Sequence, residues 1–188
     1  MKRTYIISVF SEDIVGLLNR VTIIFTRRHI NIENIITSET EIKGIYRYTI
    51  VITIEEDRIE KIVKLIEKQV EVMKAFYHTE DEVISRELAL YKVSSEAINQ
   101  NEEFQKIMNA YGAKIISISK DYVVVEKSGA ADKIKMLFQD LEKFNILEFS
   151  RSGQVVVTKP MKTLSTYLKE LEHSSKITIK TKNKHGKN

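Results

Sequence analysis

Residues 5–21, YIISVFSEDIVGLLNRV, contain the pattern that decides the fold. The first six residues are β-branched or aromatic except for one serine, which predicts a strand over residues 5–10. Residues 13–16 interrupt this strand, and a helix is predicted from Leu17 onward because apolar residues then recur at helical spacing. The apolar residues of this helix are Leu17, Val21, Ile24 and Phe25. The chain therefore begins with a strand that passes through Gly16 directly into a helix.

The segments that follow complete a β-α-β-β-α-β order. Two strands are predicted over residues 32–39 and 45–54, joined by a turn at residues 43–44. A second helix follows the acidic run at residues 55–57, since negative charge is favoured at a helix N-terminus. Its predicted apolar stripe comprises Ile59, Ile62, Val63, Ile66 and Val70. A last strand is predicted over residues 72–77.

The second half of the chain repeats this order. Its predicted elements are a strand over residues 87–93, a helix over 102–111 ended by Gly112, strands over 115–119 and 122–126, a helix over 131–144, and a last strand region from 146–149 and 154–158. Two such units predict an α+β fold of two tandem ferredoxin-like βαββαβ domains, each with its helices on one face of an antiparallel sheet. We place the domains at residues 1–78 and 86–160, a linker at 79–85, and a basic, partly disordered tail at 161–188.

The predicted domains are small. Each has about 80 residues and buries only a modest core on its own. Sheets with open edges also tend to be paired or covered. We therefore expect a homodimer in which the N-terminal sheets join across a two-fold axis.

The composition excludes several classes of protein. The 188 residues are 43% hydrophobic and 30% charged, with a single proline, which excludes collagen-like and low-complexity chains. The absence of cysteine excludes disulfides, thiolate nucleophiles and cysteine-ligated zinc. No apolar run approaches the ~18–20 residues of a membrane span, and the N-terminus lacks the features of a signal peptide. We therefore expect a cytoplasmic protein with no membrane partner.

The basic charge is concentrated at the C-terminus. Residues 161–188 contain seven lysines and two acidic residues, whereas the rest of the chain is close to neutral. The net charge of +4 therefore belongs to the tail rather than to the two domains. We expect this tail to be a solvated extension, with contact to phosphate or to a partner as the alternative.

The motifs support neither catalysis nor metal binding. The four histidines lie in four separate segments, and no HExxH, GxSxG or P-loop spacing occurs. The acidic runs at residues 55–57 and 80–82 fall at a helix start and in the predicted linker, where capping or solvation explains them. No cluster of histidine, aspartate and glutamate has the spacing of metal ligands. We expect no catalytic residue and no metal site in this chain.

An RNA-recognition module shares the βαββαβ order and is the nucleic-acid alternative. That module stacks bases on aromatic residues of its central strands, with a pattern that begins K-G-[FY]. The chain has K-G at residues 43–44, but Ile45 and Arg47 stand where the stacking aromatics belong. Tyr46 and Tyr48 share a strand face with several isoleucines, which indicates a position in the core. We therefore expect no nucleic-acid partner.

The loop before the first helix is the most informative segment for ligand binding. Backbone N–H groups at a helix N-terminus bind carboxylates, and a glycine such as Gly16 lets a ligand or a neighbouring chain approach the backbone closely. Asn31, where the same helix passes into the next strand, has an amide to offer. Spacing alone favours a simpler interpretation, in which Gly16 only makes a tight turn and Asn31 only caps a bend.

Four ordered motifs resemble one known family. The runs G-L-L-N-R-V at residues 16–21 and F-T-R-R-H-I-N-I-E at 25–33 resemble its patterns N-x-x-G-x-L-x-R-[VI] and F-x-x-R-G-[YF]-N-I-[ED]. The run R-E-L-A-L-Y-K-V at 86–93 resembles R-E-[LM]-x-L-[IV]-K-V, and S-R-S-G at 150–153 resembles A-R-[ST]-G. The family is the small regulatory subunit of acetolactate synthase (acetohydroxyacid synthase), whose N-terminal domain is an ACT domain. The resemblance covers residues 1 to about 160.

The resemblance implies regulation rather than catalysis. In this family the small subunit binds and activates a separate large subunit, which depends on thiamine diphosphate and condenses two pyruvates, or pyruvate with 2-oxobutyrate. A branched-chain amino acid, usually valine, binds between paired ACT domains and gives feedback inhibition of valine, leucine and isoleucine synthesis. Thiamine diphosphate, Mg and FAD are then expected only on the large subunit, with no cofactor on this chain. The alternative is a stand-alone ACT-domain amino-acid sensor that regulates another enzyme.

The resemblance also implies an effector site. Its residues by position are Asp13, Ile14, Val15, Gly16, Leu17, Asn31 and Ile32. Gly16 and the neighbouring backbone would hold the effector's carboxylate, and Asn31 of the facing chain would bind a polar group. The family has asparagine where this chain has Asp13, which accepts from an ammonium but cannot donate to a carboxylate. Ile14 and Val15 replace residues that are mostly polar, small or proline, so we expect weakened valine sensitivity or an altered choice of ligand.

Overall fold

The computed structural model describes residues 1–96 and 102–159 of the 188-residue chain. The first domain consists of β1 (Lys2–Glu12), α1 (Leu17–Thr26), β2 (Ile32–Glu39), β3 (Ile45–Glu55), α2 (Glu56–Glu67) and β4 (Val72–His78). The second consists of β5 (Val83–Ser94), α3 (Glu102–Tyr111), β6 (Lys114–Ile118), β7 (Tyr122–Gly129), α4 (Ala131–Leu141), β8 (Ile146–Arg151) and β9 (Val155–Thr158). Single 3₁₀ turns at Glu80–Glu82 and Glu142–Phe144 precede β5 and β8. The predicted basic tail, residues 161–188, lies outside the described residues.

The first domain has the predicted ferredoxin-like arrangement. Its four antiparallel strands have the order β2-β3-β1-β4, and α1 and α2 lie together on one face. Alternate residues of the central strands β1 and β3 point into the core under these helices. This core includes Tyr5, Ile7, Val9, Tyr48, Ile50, Ile52, Leu17, Val21, Phe25, Ile59, Ile62 and Ile66. The expectation that Tyr48 is a core residue is therefore confirmed.

One residue of the predicted stripe of α2 is misplaced. Ile59, Ile62, Val63 and Ile66 are buried as predicted. The prediction for Val70 is wrong, because α2 ends at Glu67 and the Val70 side chain is 94% exposed in the turn before β4. The helical spacing continues past the residue at which the helix ends.

The second domain repeats the fold with one addition. Its sheet has the order β6-β7-β5-β8, and α3 and α4 pack on one face around Tyr91, Phe104 and Leu137. The predicted last strand region is two separate strands, since β8 pairs with residues 89–93 of β5 and β9 pairs with residues 83–86. Because β5 begins at Val83, residues 83–85 of the predicted linker belong to a strand.

The two domains share a small core on the second face of the first sheet. Ile6 of β1 and Val51 of β3 point away from α1 and α2, and both are buried. They pack against Val83 of β5 and Val156 of β9. The extended β5 and its partner β9 therefore reach from the second sheet onto the first.

The backbone conformation at the end of α1 explains why the family pattern has a glycine at the position of His29. His29 lies just after the helix with a φ of 53°, in the left-handed region that favours glycine. The His29 N–H donates to the Thr26 carbonyl at 3.1 Å, and the Ile30 N–H donates to the Phe25 carbonyl at 3.1 Å. These two bonds form a Schellman motif, in which Phe25 and Ile30 are both buried. Gly112 ends α3 with the same conformation, at a φ of 58°.

We predict that His29→Gly stabilises the first domain. Glycine removes the steric cost of a left-handed φ, which is about 1 kcal/mol, while both bonds of the motif use only backbone atoms. The expected rise in melting temperature is about 2–4 °C, measured by circular dichroism or calorimetry. Arg27→Gly is the matched control, because Arg27 has a right-handed φ of −63° and should lose stability. An unchanged or lower melting temperature for His29→Gly would contradict this explanation.

Candidate functional site

The loop between β1 and α1 forms an open turn. The Leu17 N–H donates to the Ile14 carbonyl at 3.3 Å, and Gly16 lies inside the turn with a φ of 85°. Glycine takes this left-handed conformation without strain. A Cβ at Gly16 would meet no atom within 4 Å, so the space beside the turn is free in the described structure. The residues 13–16 are all exposed.

The start of α1 offers unpaired backbone donors. Leu17 N–H is used by the turn, and the Arg20 N–H bonds to the Gly16 carbonyl at 3.2 Å. The N–H groups of Leu18 and Asn19 lie between them and have no backbone acceptor among the described residues. Gly16 provides no side-chain cap, and the first turn of α1 contains no acidic residue. This end of the helix is therefore suited to a carboxylate.

Leu17 contributes its side chain to the core rather than to the surface of the loop. Its side chain is fully buried in the core of the first domain, and its N–H is already bonded. The N–H groups without a backbone acceptor are instead those of Leu18 and Asn19, which the sequence reasoning did not name. The signal that could have identified them is the rule that the first N–H groups of a helix lack intrahelical acceptors.

The loop lies in an acidic environment. The Tyr46 hydroxyl donates to Glu39 Oε1 at 3.0 Å, at the end of β2. This hydrogen bond raises the pKa of Tyr46, and burial and the nearby charge of Asp13 act in the same direction. Asp13 is itself exposed, so its carboxylate is available to a positively charged group of a ligand.

The structure separates the two parts of the implied effector site. Ile32, at the start of β2, pairs with Ile52 of β3. Ile52 in turn pairs with Tyr5 of β1, so Ile32 and Tyr5 lie at the same height in the sheet. The loop after Glu12 lies at the opposite end of the same sheet. Tyr5 and Glu12 are seven residues apart along β1, which corresponds to about 23 Å at ~3.3 Å per residue. Asn31 and Ile32 therefore do not meet Gly16 within one chain.

The two edges of the first sheet differ. On the outer edge of β4, Glu67 Oε1 accepts from the Ala75 N–H at 3.3 Å and forms an ion pair with Lys74 at 2.6 Å. These contacts occupy one backbone donor of that edge and so partly obstruct pairing with another strand. The outer edge of β2 pairs with no strand in the part of the chain that the structure describes. The β2 edge is thus the one suited to a further strand.

The motifs at residues 86–93 and 150–153 contact each other. The Ser152 N–H donates to the Leu88 carbonyl at 2.8 Å, and the Leu88 N–H donates to Ser152 Oγ at 2.9 Å. Glu87, which is 6% exposed, lies 3.5 Å from Arg151 Nε. These residues fasten the end of β8 to the middle of β5.

The same motif also meets β2 through Asn34. The Gln154 N–H donates to Asn34 Oδ1 at 3.3 Å. A Cβ at Gly153 would lie 2.1 Å from Asn34 Oδ1, so any other residue at this position would require the Asn34 side chain to move. Asn34 joins β2 to the second domain, and the sequence reasoning missed it. An asparagine inside a predicted strand, where asparagine is rare, was the available signal.

Two further classes of site are absent from residues 1–96 and 102–159. No group of three or more histidine, aspartate or glutamate side chains is arranged to hold a metal ion there. No helix in these residues is both long and apolar enough to cross a bilayer.

These features define a protein with two ferredoxin-like domains, of which the first has an open helix N-terminus at a glycine turn. Residues 5–71 match the family model of the ACT domain, and residues 86–160 match the model described as the small subunit of acetolactate synthase. The chain belongs to the family of acetolactate synthase small subunits.

Several relatives support this membership. The acetolactate synthase small subunit of Mycolicibacterium smegmatis is 35% identical over 156 residues, which is 83% of this chain and 91% of the relative. That of Bacillus subtilis is 37% identical over 154 residues, 81% of this chain and 88% of the relative. The crystal structure of the small subunit from Thermotoga maritima matches with a TM-score of 0.77 and 27% identity. The match covers 85% of this chain and 99% of the Thermotoga maritima chain. The suspected family and the fold are therefore confirmed.

We predict that Gly153→Ala loosens the contact between β2 and the second domain. The added Cβ would displace Asn34 Oδ1 from the Gln154 N–H, and loss of such a hydrogen bond costs about 0.5–1.5 kcal/mol. The free energy of unfolding would be measured by denaturant titration for Gly153→Ala, Asn34→Ala and the double variant. Because Asn34→Ala removes the overlapping atoms, the double variant should lose less than the sum of the single losses. Additive losses would show that the two residues do not act on each other.

Proposed function

We propose that this chain is the regulatory subunit of an acetolactate synthase. It would bind and activate the thiamine-diphosphate-dependent large subunit and make it sensitive to feedback inhibition by a branched-chain amino acid, with valine as the first candidate. The observation on which this proposal depends most is the uncapped start of α1 behind Gly16, in a chain of this family. The chain itself would act by binding, with no catalytic site of its own.

The effector site would be completed by a second copy of the chain. A two-fold axis that pairs two β2 edges antiparallel sets the start of one β2 beside the end of the other. Glu39, at the end of β2, pairs with Tyr46, and the adjacent Ile45 pairs with Glu12. The loop at residues 13–16 is thus at the end of the sheet that receives Asn31 of the partner subunit. The open β2 edge and the partly obstructed β4 edge both favour this homodimer.

The chemistry of the site suits an α-amino acid. The carboxylate would accept from the N–H groups of Leu18 and Asn19, and Asp13 would place a negative charge beside it. The exposed side chains of Ile14 and Val15 would contact an aliphatic side chain. The partner's Asn31 would donate to or accept from the same polar groups.

Inhibition would follow from a shift between two arrangements of the dimer. The amino acid stabilises one arrangement of the paired ACT domains, and the large subunit prefers the other. Coupling of this kind is about 1–3 kcal/mol, which corresponds to changes in activity of several-fold to ~100-fold. The bond from Asn34 to Gln154 is the described contact through which β2 would act on the second domain.

The remaining expectations belong to the same proposal. Thiamine diphosphate, Mg and FAD would be bound by the large subunit and not by this chain. The partners would be the large subunit, the amino acid and a second copy of the chain, in the cytoplasm and without nucleic acid or membrane.

We predict that this chain stimulates acetolactate formation by its cognate large subunit and that valine reverses the stimulation. Asn31→Ala should remove the inhibition and leave the stimulation intact, because Asn31 lies at the effector site only. The measurement is acetolactate formation with and without this chain across a valine titration. Asn109→Ala, an exposed asparagine of α3, is the matched control and should behave like the unchanged chain.

The outcomes separate the parts of the proposal. Valine inhibition that survives Asn31→Ala would overturn the site assignment. Stimulation without a valine response would keep the subunit assignment and point to Asp13 or another effector. No stimulation at all would favour a stand-alone amino-acid sensor.

We predict that Asp13→Asn tightens valine binding severalfold. The asparagine amide can donate to the carboxylate of the ligand, and the change removes a negative charge beside it. The dissociation constant would be measured by calorimetric titration of the isolated chain. Asp132→Asn, an exposed aspartate in the first turn of α4, makes the same change of charge far from the loop. Equal or weaker affinity for Asp13→Asn would show that the aspartate pairs with the ammonium and is the better residue here.

A further inference from the structure

The two helices of the first domain run antiparallel and leave a groove between them. Arg20, near the start of α1, forms an ion pair with Glu71, which follows α2, and Arg20 Nη2 lies 2.8 Å from Glu71 Oε1. At the other end, Arg58 Nη2 of α2 donates to the carbonyl of Arg28, which follows α1, at 3.2 Å. The groove has a volume of about 350 Å³ and is lined only by the two helices and the turns that follow them. It therefore opens on the surface of the helix layer.

The groove has an apolar floor and a basic rim. Its floor consists of one buried residue, Ile24, and two half-buried residues, Ile23 and Leu65. No acidic residue in the described part of the chain lines it. The arginines of the rim are Arg20, Arg27 and Arg28. This floor and rim together are called the helix groove below.

Two arginines of the helix groove have no carboxylate partner. The charge of Arg20 is compensated by Glu71. Arg28 donates from Nη1 to the Ile24 carbonyl at 3.0 Å, which leaves its positive charge uncompensated. Within residues 1–96 and 102–159, no carboxylate forms an ion pair with Arg27 or Arg28. Because Arg27 is exposed, its guanidinium is available to an anionic partner.

The acidic residues of α2 lie on its other side. They line two cavities next to β4 and comprise Glu56, Asp57, Glu60 and Glu67. Glu60 is paired there with Lys64 at 3.5 Å, and Glu67 is paired with Lys74 at 2.6 Å. Ion pairs within the chain thus compensate charge on the β4 side of the helix layer, whereas the helix groove keeps an excess of positive charge.

We propose that the helix groove is the docking site for an acidic, amphipathic helix of the catalytic large subunit. This proposal rests on the proposed function, which makes a large subunit the partner of this chain. The apolar face of the docked helix would contact Ile23 and Leu65, and its carboxylates would pair with Arg27 and Arg28. The apolar floor favours a helix over a free anion or a nucleic acid, because Ile23 and Leu65 offer neither hydrogen bonds nor stacking.

The helix groove is separate from the other contacts of the first domain. The second domain packs on the opposite face of the sheet, through Ile6 and Val51. The proposed homodimer uses the edge of β2. A partner in the helix groove therefore meets neither the second domain nor the strand edge.

Helix α1 joins the helix groove to the candidate effector site. The N–H groups of Leu18 and Asn19 lie at its start, and Arg27 follows its last residue. Asn19 and Arg27 are eight residues apart, which corresponds to about 12 Å at ~1.5 Å per residue. An effector that shifts α1 would move the rim of the groove with it, which gives feedback inhibition a short physical route.

Charge reversal at Arg27 tests the helix groove. The affinity of the full chain for its purified cognate large subunit would be measured by biolayer interferometry, with circular dichroism to confirm that each variant is folded. Arg27→Glu should weaken binding at least tenfold, and Arg27→Gln should weaken it less, because reversal adds repulsion to the lost attraction. Lys64→Glu, the matched control, makes the same change of charge on the exposed β4 side of α2 and should bind within twofold of the unmodified chain.

The outcomes separate this proposal from the proposed function. If both Arg27 variants bind like the unmodified chain, or Lys64→Glu loses as much affinity as Arg27→Glu, the docking site is wrong and the subunit assignment stands. If the unmodified chain neither binds nor stimulates the large subunit, both are wrong. If Arg27→Glu instead lowers the mass of the chain alone in light scattering, the helix groove belongs to a second copy of the chain and the proposal is overturned.

Cross-linking tests the chemistry of the docked segment. Because the sequence contains no cysteine, Thr26→Cys beside Arg27, or Lys64→Cys as its control, carries a photo-crosslinker at one position only. Mass spectrometry should place the cross-link from position 26 in a helical segment of the large subunit with more acidic than basic residues. Position 64 should give at least tenfold less product. A basic segment, or equal yields from both positions, would overturn the proposal.

Discussion

The alternation of side chains along β1 is the constraint on which the rest of the first domain depends. Tyr5, Ile7 and Val9 enter the core under the helices, whereas Ile6 and Ser8 face the opposite way, and all five are buried. A slip of one residue would put Ser8 among the helix contacts and turn Tyr5, Ile7 and Val9 to the opposite face, so the register is strongly fixed. Because β1 is central, its register also sets where the loop at residues 13–16 leaves the sheet and where α1 begins.

The sequence predicted the parts of this fold that depend on local pattern. The start of α1 at Leu17 and the bounds of β2 and α3 follow from periodicity and from glycine, and the structure has them at the same residues. The errors concern contacts between distant segments. Spacing did not reveal that β5 is long enough to pair with both β8 and β9, because strand length depends on the partners available. The contact of Asn34 with Gly153 joins residues far apart in the chain, and no single-sequence pattern encodes it.

For the candidate site too, the sequence predicted the local features and not the contacts between distant segments. The glycine turn and the open helix N-terminus are local features, and both are present. The unpaired N–H groups at this helix start are those of Leu18 and Asn19, which the sequence reasoning did not name, since Leu17 is committed to the core and to the turn. Asn31, which the family resemblance implies as the second part of the site, lies about 23 Å away in the same chain according to the register of β1, β2 and β3. A site divided in this way can be complete only in an assembly, so ligand binding and dimer geometry would be linked.

The link from that site to the second domain rests on few contacts, and their strength agrees with a regulatory role. Asn34 follows Ile32 by two residues in β2, and its side chain accepts from Gln154 and packs against Gly153. The next contacts inward are the bonds between Ser152 and Leu88. A hydrogen bond of this kind contributes about 0.5–1.5 kcal/mol net. One or two such bonds that differ between two arrangements of β2 would supply the ~1–3 kcal/mol typical of coupling between sites. A large apolar interface would instead hold the domains in one arrangement. The core shared by the two domains comprises four residues in the part of the chain that the structure describes, so the polar contacts at Asn34 would help to decide between two arrangements.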